Sequence, residues 1–533
     1  MTEIRQDQNL ITGEELIQRV RQTYAIRDVA RPRFVYEYVN DILSRIVKNA
    51  HPYSKLHVVS HLPSRIHELA IRLLARQIVC TNPLGARSFS TTAHLRARCL
   101  KGRILGVLPY SISYPEHGGQ FRAHDIYSNL SRDFEIIALS MGTRALETQI
   151  TPNLRDVCIP IPNRLAKAQR ALAPHIGDVA TRVALIGNYW RSEPFMLTFD
   201  KLSEAADIVI FSHPYFFQLE DRLSGEKIVA YDCVDVEFDL FKSLLEGQSE
   251  TKYAARVMKI VCGIERNACE KSDLIFVTCA EQGVRLRKLY QISSNKIHIV
   301  SNPIDNLQSP DEPRDETREK HKAELGLGNH PIVLYLASWH PPHLKSLRFI
   351  LSKLVIKHPE WTFLILGTVA DELSKPYMKE RLPKNVIAYA NPTPQEKSEI
   401  FKAVDIAIDP STYGSGTEIK ILVYMMSGLP IVTTKTGVRG LNVHDRYHVI
   451  ISEPDNFAVN IQRLLKNDAL RNKIIANALR FVKNYDAHEI ANGVSTILVS
   501  ALELPHQRKP TANDFAANET ADELSGILGS GRN

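Results

Sequence analysis

The chain reads as α/β, with two domains of alternating strands and helices in tandem behind a helical N-terminal extension. Three observations predict this. From Arg103 short apolar runs alternate with longer helical stretches; a polar, charged, proline-bearing segment over 307–321 interrupts them; and the same rhythm then restarts. Apolar runs bounded by turns and separated by helices are the pattern of a parallel sheet covered on both faces.

Size and composition agree. A chain of 533 residues exceeds one ordinary core, and an apolar content of 44% is ample for two. The net charge of +7 suits phosphorylated ligands or an anionic membrane surface, but is too diffuse for nucleic acid as a partner. The seven cysteines (Cys80, Cys99, Cys158, Cys233, Cys262, Cys269 and Cys279) have no paired short spacing, which predicts reduced thiols and a cytoplasmic protein. The N-terminus lacks an apolar leader and no eighteen apolar residues run together. No bilayer span is expected, and peripheral contact at the cytosolic face of a membrane stays open.

Residues 1–102 form the extension, with helical periodicity over 14–26, 33–48 and 63–79. The third segment mixes arginines with leucines and isoleucines. It suits a membrane surface, a protein partner or docking on a neighbouring domain. The first α/β domain spans 103–302, with strands expected at 104–108, 135–139, 182–186, 208–212, 228–232, 274–278 and 296–300. The second spans 303–508, with strands at 332–337, 363–366, 386–389, 406–408, 431–433 and 448–451. Residues 509–533 are polar and acidic and read as a disordered tail. The crevice at the carboxyl ends of the strands is the expected ligand site.

The most informative stretch is D-P-S-T-Y-G-S-G-T-E-I-K-I-L-V-Y-M-M-S-G-L-P-I-V-T-T, from Asp409. It reads as strand, glycine turn, helix over 418–427, a stop at Gly428-Leu429-Pro430, and strand. Free backbone N–H groups with Ser415 and Thr417 converge at the helix start, Gly414 and Gly416 admit a ligand, and Lys420 on the first turn can reach back. An anion fits there; the bland alternative is a capped helix with a solvated lysine.

Other strand ends carry candidates. After the first strand, Gly118 and Gly119 open a helix with Arg122 on its early turns, which suits a close substrate approach and a phosphate contact, or a simple turn. This is not G-x-G-x-x-G, so hydride chemistry loses support. His213 lies just past one strand, and Asp232, Asp235 and Glu237 at or past the end of the next, where a carboxylate could accept sugar hydroxyls or cap a helix. Ser338, His340 and His343 sit between a strand and a helix beside Trp339, but Pro341-Pro342 interrupts the geometry a metal pair would need. The chain has no G-x-S-x-G, H-E-x-x-H, C-x-x-C or P-loop.

In their order and spacing, G-G-Q-F-R after the first strand, A-Y-D-C-V-D-V-E, K-S-D-L-I-F-V-T-C, I-H-I-V-S-N-P-I-D, A-S-W-H-P-P-H, and D-P-S-T-Y-G-S-G-T-E-I-K followed by Y-M-M-S-G-L-P-I-V-T-T-K-T-G-V-R-G-L resemble the retaining GT-B glycosyltransferases of the family 4 (group 1) type, over roughly residues 103–500. The resemblance implies two Rossmann-like domains facing across a cleft, the nucleotide-sugar donor mainly in the second and the acceptor mainly in the first. The acceptor, be it a glycan, lipid-linked or small molecule, is unspecified. No metal and no cofactor is expected, the nucleotide sugar being a substrate.

By the same resemblance, Gly414, Ser415, Gly416, Thr417 and Lys420 belong to the diphosphate cradle, and Glu418 stands beside them as a further donor-binding candidate. Gly118 and Gly119 form the loop facing the donor, residues 437–441 part of the wall beyond the next strand, and the chain's end crosses back to the first domain; Arg122, Ser338 and His340 are further donor-binding candidates. Lys420, His213 and Asp235 are the catalytic candidates. One departure is Val423, where the family commonly places a carboxylate that holds the ribose. Three functions follow as expectations: a transferase in polysaccharide biosynthesis, a catalytically silent GT-B scaffold for a glycan or partner protein, and a nucleotide-sugar hydrolase or epimerase.

Overall fold

The computed structural model describes residues 100–245, 251–304 and 314–503, except 326, 328, 374, 376–381, 391, 393, 413 and 415. The expected N-terminal extension (all but its last three residues), the tail, Cys80, Cys99 and Ser415 thus lie outside the described residues.

The first sheet contains β1 (Gly102–Leu108), β2 (Phe134–Gly142), β3 (Leu146–Thr151), β4 (Leu154–Pro160), β5 (Ile208–Ser212), β6 (Ile228–Cys233), β7 (Leu274–Val277) and β8 (Ile297–Ile299). Their order is β3-β4-β2-β1-β5-β6-β7-β8, and only the β3–β4 pair is antiparallel. The second sheet has β9 (Ile332–Leu336), β10 (Thr362–Leu366), β11 (Val386–Tyr389), β12 (Ile406–Asp409), β13 (Ile431–Thr433) and β14 (Ile450–Ile451), all parallel, in the order β11-β10-β9-β12-β13-β14. Apart from the antiparallel β3 edge, the parallel strands change direction of progression between β1 and β5 and between β9 and β12. Ligand crevices in open α/β sheets form at such switch points.

The central strands are largely apolar because both faces are covered. In β1, Leu105 and Val107 join one core while Ile104 and Leu108 join the other. In β9, Leu334 and the pair Val333 and Tyr335 divide in the same way. Six helices position the site: α1 (Gly118–Leu130), α2 (Ala180–Asn188), α3 (Glu237–Leu245), α4 (Thr251–Lys271), α5 (Ile419–Met426) and α6 (Ala487–Glu503). The last one returns to the first domain, where Ala491, Val494, Leu498 and Ala501 pack with Ile126 and Leu130 of α1.

Two expectations are corrected. Residues 182–186, expected as a strand, lie inside α2, whose residues from Val183 to Asn188 are all buried, so the run shows no polar face to betray its period. β3 and β4 were not anticipated: β3 is polar and half-buried, at the sheet edge. Among the described residues no helix is long and apolar enough to cross a membrane.

Candidate functional site

On the second-domain wall, β12 delivers Asp409 to the bend that precedes α5. Glu418 takes the N-cap position, and Lys420 follows in the first turn. Its ammonium is not solvated: the residue is 8% exposed, with Nζ 3.2 Å from Asp409 Oδ1, 3.4 Å from Glu418 Oε2 and 5.3 Å from the Tyr335 ring centroid. Burial works against the charge, but Asp409 and Glu418 outweigh it and lift the ammonium above its ordinary range. Glu418 is also held by Arg439 at 2.8 Å; burial opposes its charge, yet Lys420 and Arg439 keep the carboxyl far below the usual range. The second oxygen of Asp409 is buried without a hydrogen-bond partner among the described residues.

The loop after β9 adds two histidines. Burial, and after it His343 and then Arg182, pushes His340 down to about 3; burial and Lys420 lower His343. Both rings are neutral at pH 7. The Nδ1–H of His343 donates to the Ser338 carbonyl at 2.8 Å, leaving Nε2 facing Glu418 at 4.0 Å. Ser338 thereby orients His343 through its backbone.

On the first-domain wall, Asp156 gathers the loop after β1: its Oδ2 accepts from the Ser111 and Ser113 hydroxyls and from the Ile112 and Ser113 amides at 2.5–3.0 Å. This fixes Tyr110, whose hydroxyl lies so close to Gly119 that a Cβ there would collide with it. Tyr110 meets His213 Nε2 at 3.2 Å, and His213 Nδ1 meets Glu237 Oε1 at 2.6 Å. The Tyr215 hydroxyl donates to the other Glu237 oxygen at 2.7 Å. Burial, followed by the influence of His213 and Arg182, lowers His117 to about 4.

The two walls touch. Gly416, with φ +66°, lies against Asp235; the Thr417 hydroxyl is 3.2 Å from that of Thr278; and a Cβ on Gly118 would be 3.2 Å from Ile419 Cδ1. The N-termini of α1 and α5 therefore face each other across the cleft, where the first backbone N–H groups of a helix have no acceptor within the helix itself.

Most expected site residues converge here: Gly118, Gly119, His213, Asp235, Ser338, His340, Gly414, Gly416, Thr417, Glu418 and Lys420. Arg122 is a correction. Its guanidinium is fully buried: Nη2 donates to Asp232 Oδ1 at 2.7 Å, Nε to the same oxygen at 3.2 Å and to Oδ2 at 3.4 Å, and Nη1 to Val300 O, Ser301 O and Asn302 Oδ1 at 2.7–3.1 Å. Its head is thus committed to a buried carboxylate and to the chain just beyond β8, where the sequence alone suggests a phosphate. Val423 is half-buried against the second-domain core, not in a polar pocket. Sequence reading missed Tyr110, His117, Arg182, Thr278 and Arg439 individually. Tyr110 and Thr278 stand at strand ends, the signal that singled out His213.

Residues 330–467, which contain the bend and α5, match the family model Glycosyl transferases group 1. Sucrose-phosphate synthase from Thermosynechococcus elongatus superposes with a TM-score of 0.58 at 14% identity, over 75% of this chain and 99% of that one. HepE from Anabaena, solved with UDP and glucose, gives 0.53 at 14% identity, over 75% of this chain and all of the other. The fold is GT-B. A curated relative is TuaH of Bacillus subtilis (strain 168), whose name provisionally makes it a glycosyltransferase of teichuronic acid biosynthesis; it is 25% identical over 237 residues, which is 42% of this chain. The match spans about half of TuaH, 54% of its length. In GT-B terms the bend and α5 belong to the second domain, and His213, Glu237 and Tyr110 to the first.

Proposed function

We propose that this GT-B chain is a glycosyltransferase that moves a sugar from a nucleotide-sugar donor, with retention of configuration, to a hydroxyl of a glycan, lipid-linked or small-molecule acceptor. One observation carries the reading: a buried lysine beside a glycine bend, at the start of a helix that faces a second helix start across an interdomain cleft. As the bond from the sugar carbon to the diphosphate breaks, its electron pair goes to phosphate oxygen and positive charge grows on the ring. The α5 N–H groups and Lys420 stabilise the leaving oxygen; losing one such oriented donor costs about 2.7–4 kcal/mol of barrier. The acceptor oxygen then bonds to the sugar carbon on the same face, and its proton passes to the leaving diphosphate. The reading asks no metal to carry this charge.

A second reading, the silent scaffold, draws on a specific observation. Lys420 and Arg439 are already matched by Asp409 and Glu418, so an arriving diphosphate meets a charge-compensated site. Titrating UDP-, GDP-, dTDP- and ADP-sugars against wild type and Lys420→Ala separates the two. Micromolar-to-millimolar binding of at least one nucleotide, weakened in the variant, supports the transferase. Equal affinity in both proteins removes Lys420 from its role, and absence of binding to all four leaves the scaffold.

A further inference from the structure

His213 is held in an expensive conformation. Its φ of 64° and ψ of 157° fall in a region essentially reserved for glycine. Such strain persists only where the surroundings over-determine it. Here the ring stacks on Tyr215 at 5.2 Å and 11°, meets Glu237 at 2.6 Å through Nδ1, and meets Tyr110 at 3.2 Å through Nε2.

The polarity of this chain of contacts can be read from its ends. Glu237 is fully buried, and as a carboxylate it only accepts, so its two oxygens require a donor from each side. Tyr215 supplies one. Its hydroxyl lies beside the Arg182 guanidinium, which only donates, so the phenolic proton turns to Glu237 Oε2. Burial and Glu237 also push Tyr215 well above its ordinary range, keeping that proton in place. The other donor must then be the Nδ1–H of His213. A neutral imidazole carries one N–H, so Nε2 is left with a lone pair, and the Tyr110 hydroxyl donates to it.

We propose that Glu237 is the positioning residue that fixes His213 with its proton on Nδ1, so that Nε2 presents a hydrogen-bond acceptor to the cleft for a substrate hydroxyl. Tyr110, whose hydroxyl meets Nε2 in this structure, is the group that hydroxyl displaces. The inference rests on the transferase reading for the identity of the hydroxyl, which belongs to the transferred sugar or to the acceptor. The tautomer itself does not depend on that reading.

Glu237→Gln is the discriminating variant. Its amide keeps the shape, but Tyr215 claims the amide oxygen and the NH2 faces Nδ1, moving the imidazole proton to Nε2 and turning an acceptor into a donor. With 15N-histidine labelling and long-range 1H–15N spectra, the His213 signals are those lost in His213→Gln. Wild type should show protonated Nδ1 and unprotonated Nε2, and Glu237→Gln the reverse; Glu237→Asp should retain the wild-type pattern. A proton on Nε2 in wild type, as the other tautomer or as the imidazolium, or an unchanged tautomer in Glu237→Gln, overturns the proposal whatever the activity. If activity with a nucleotide sugar is found, kcat in Glu237→Gln should fall about 10²-fold, the scale of misplacing a reacting group, with Glu237→Asp recovering most of it. A rise confined to the donor's KM assigns the hydroxyl to the transferred sugar, and one confined to the acceptor's KM to the acceptor. Wild-type kinetics in a tautomer-flipped variant sinks the functional half of the proposal.

Discussion

Gly416 of the second domain and Asp235 of the first meet at the cleft, so closely that a Cβ on the glycine would overlap the aspartate Oδ1. The glycine's φ of +66° is itself a left-handed conformation. Gly416→Ala thus meets two penalties: about 1–2 kcal/mol of backbone strain, and a clash that prises the domains apart. Nucleotide affinity should fall at least tenfold, read by calorimetry. In an Asp235→Ala background the same substitution should cost distinctly less. If the two effects simply add, Gly416 and Asp235 are not coupled across the cleft.

Lys420 has a structural duty besides the proposed chemical one. Removing its ammonium strands the fully buried Asp409, whose carboxylate then keeps, among the described residues, the Ser411 hydroxyl at 2.7 Å. Breaking a buried pair from one side costs about 3–5 kcal/mol, so Lys420→Met should unfold at markedly lower denaturant. Adding Asp409→Asn should recover much of that stability and none of the nucleotide binding. Recovery of both in the double variant would make Lys420 a structural residue alone.

Much of this site was legible because strand ends and glycine bends are local signals. The stretch from Asp409 to Thr434 shows its strand, bend and helix without a partner, and the resemblance of that stretch supplied Lys420's neighbourhood. What stayed hidden depends on tertiary pairing. Arg182 sits in a helix buried on nearly every side, which reads as a strand, and so was never considered at a helix end facing the cleft. Arg122 looked available for phosphate because nothing in its own segment shows the carboxylate on β6 that claims it. Glu237 looked like a first-turn acid, and its bond to His213 joins residues 24 apart.

Acid should reveal the ion pairs at the bend. The Glu418 carboxyl is held far below its unfolded value of 4.5 by Lys420 and Arg439 against the opposing effect of burial. A depressed folded pKa contributes stability that is fully present above about pH 4.5 and is lost as pH falls below it. Lys420 works in the opposite sense: its raised pKa contributes stability present below 10.5 and lost as pH climbs through the higher folded value. Arg439→Met should therefore flatten the decline of the unfolding free energy between about pH 4.5 and pH 3. Denaturant titrations across that window check it, and slopes identical to wild type would show that Arg439 does not hold Glu418 ionised.

Arg122 should behave as a clamp, not as a ligand-binding arginine. It ties α1 to β6 through Asp232 and to the exit of β8 through Val300, Ser301 and Asn302, whose own amide reaches the Thr417 carbonyl at 3.5 Å. Arg122→Met leaves Asp232 buried with, among the described residues, the Ser212 hydroxyl at 3.4 Å, and should lower stability by about 3–5 kcal/mol. Replacing both members, Arg122→Met with Asp232→Leu, should return most of it, since an apolar pair needs no desolvation compensated. Nucleotide affinity of the folded double variant should stay within about threefold of wild type, a difference under 1 kcal/mol. A hundredfold loss at restored stability would mean that the guanidinium does reach the diphosphate during binding, and the clamp assignment would fall.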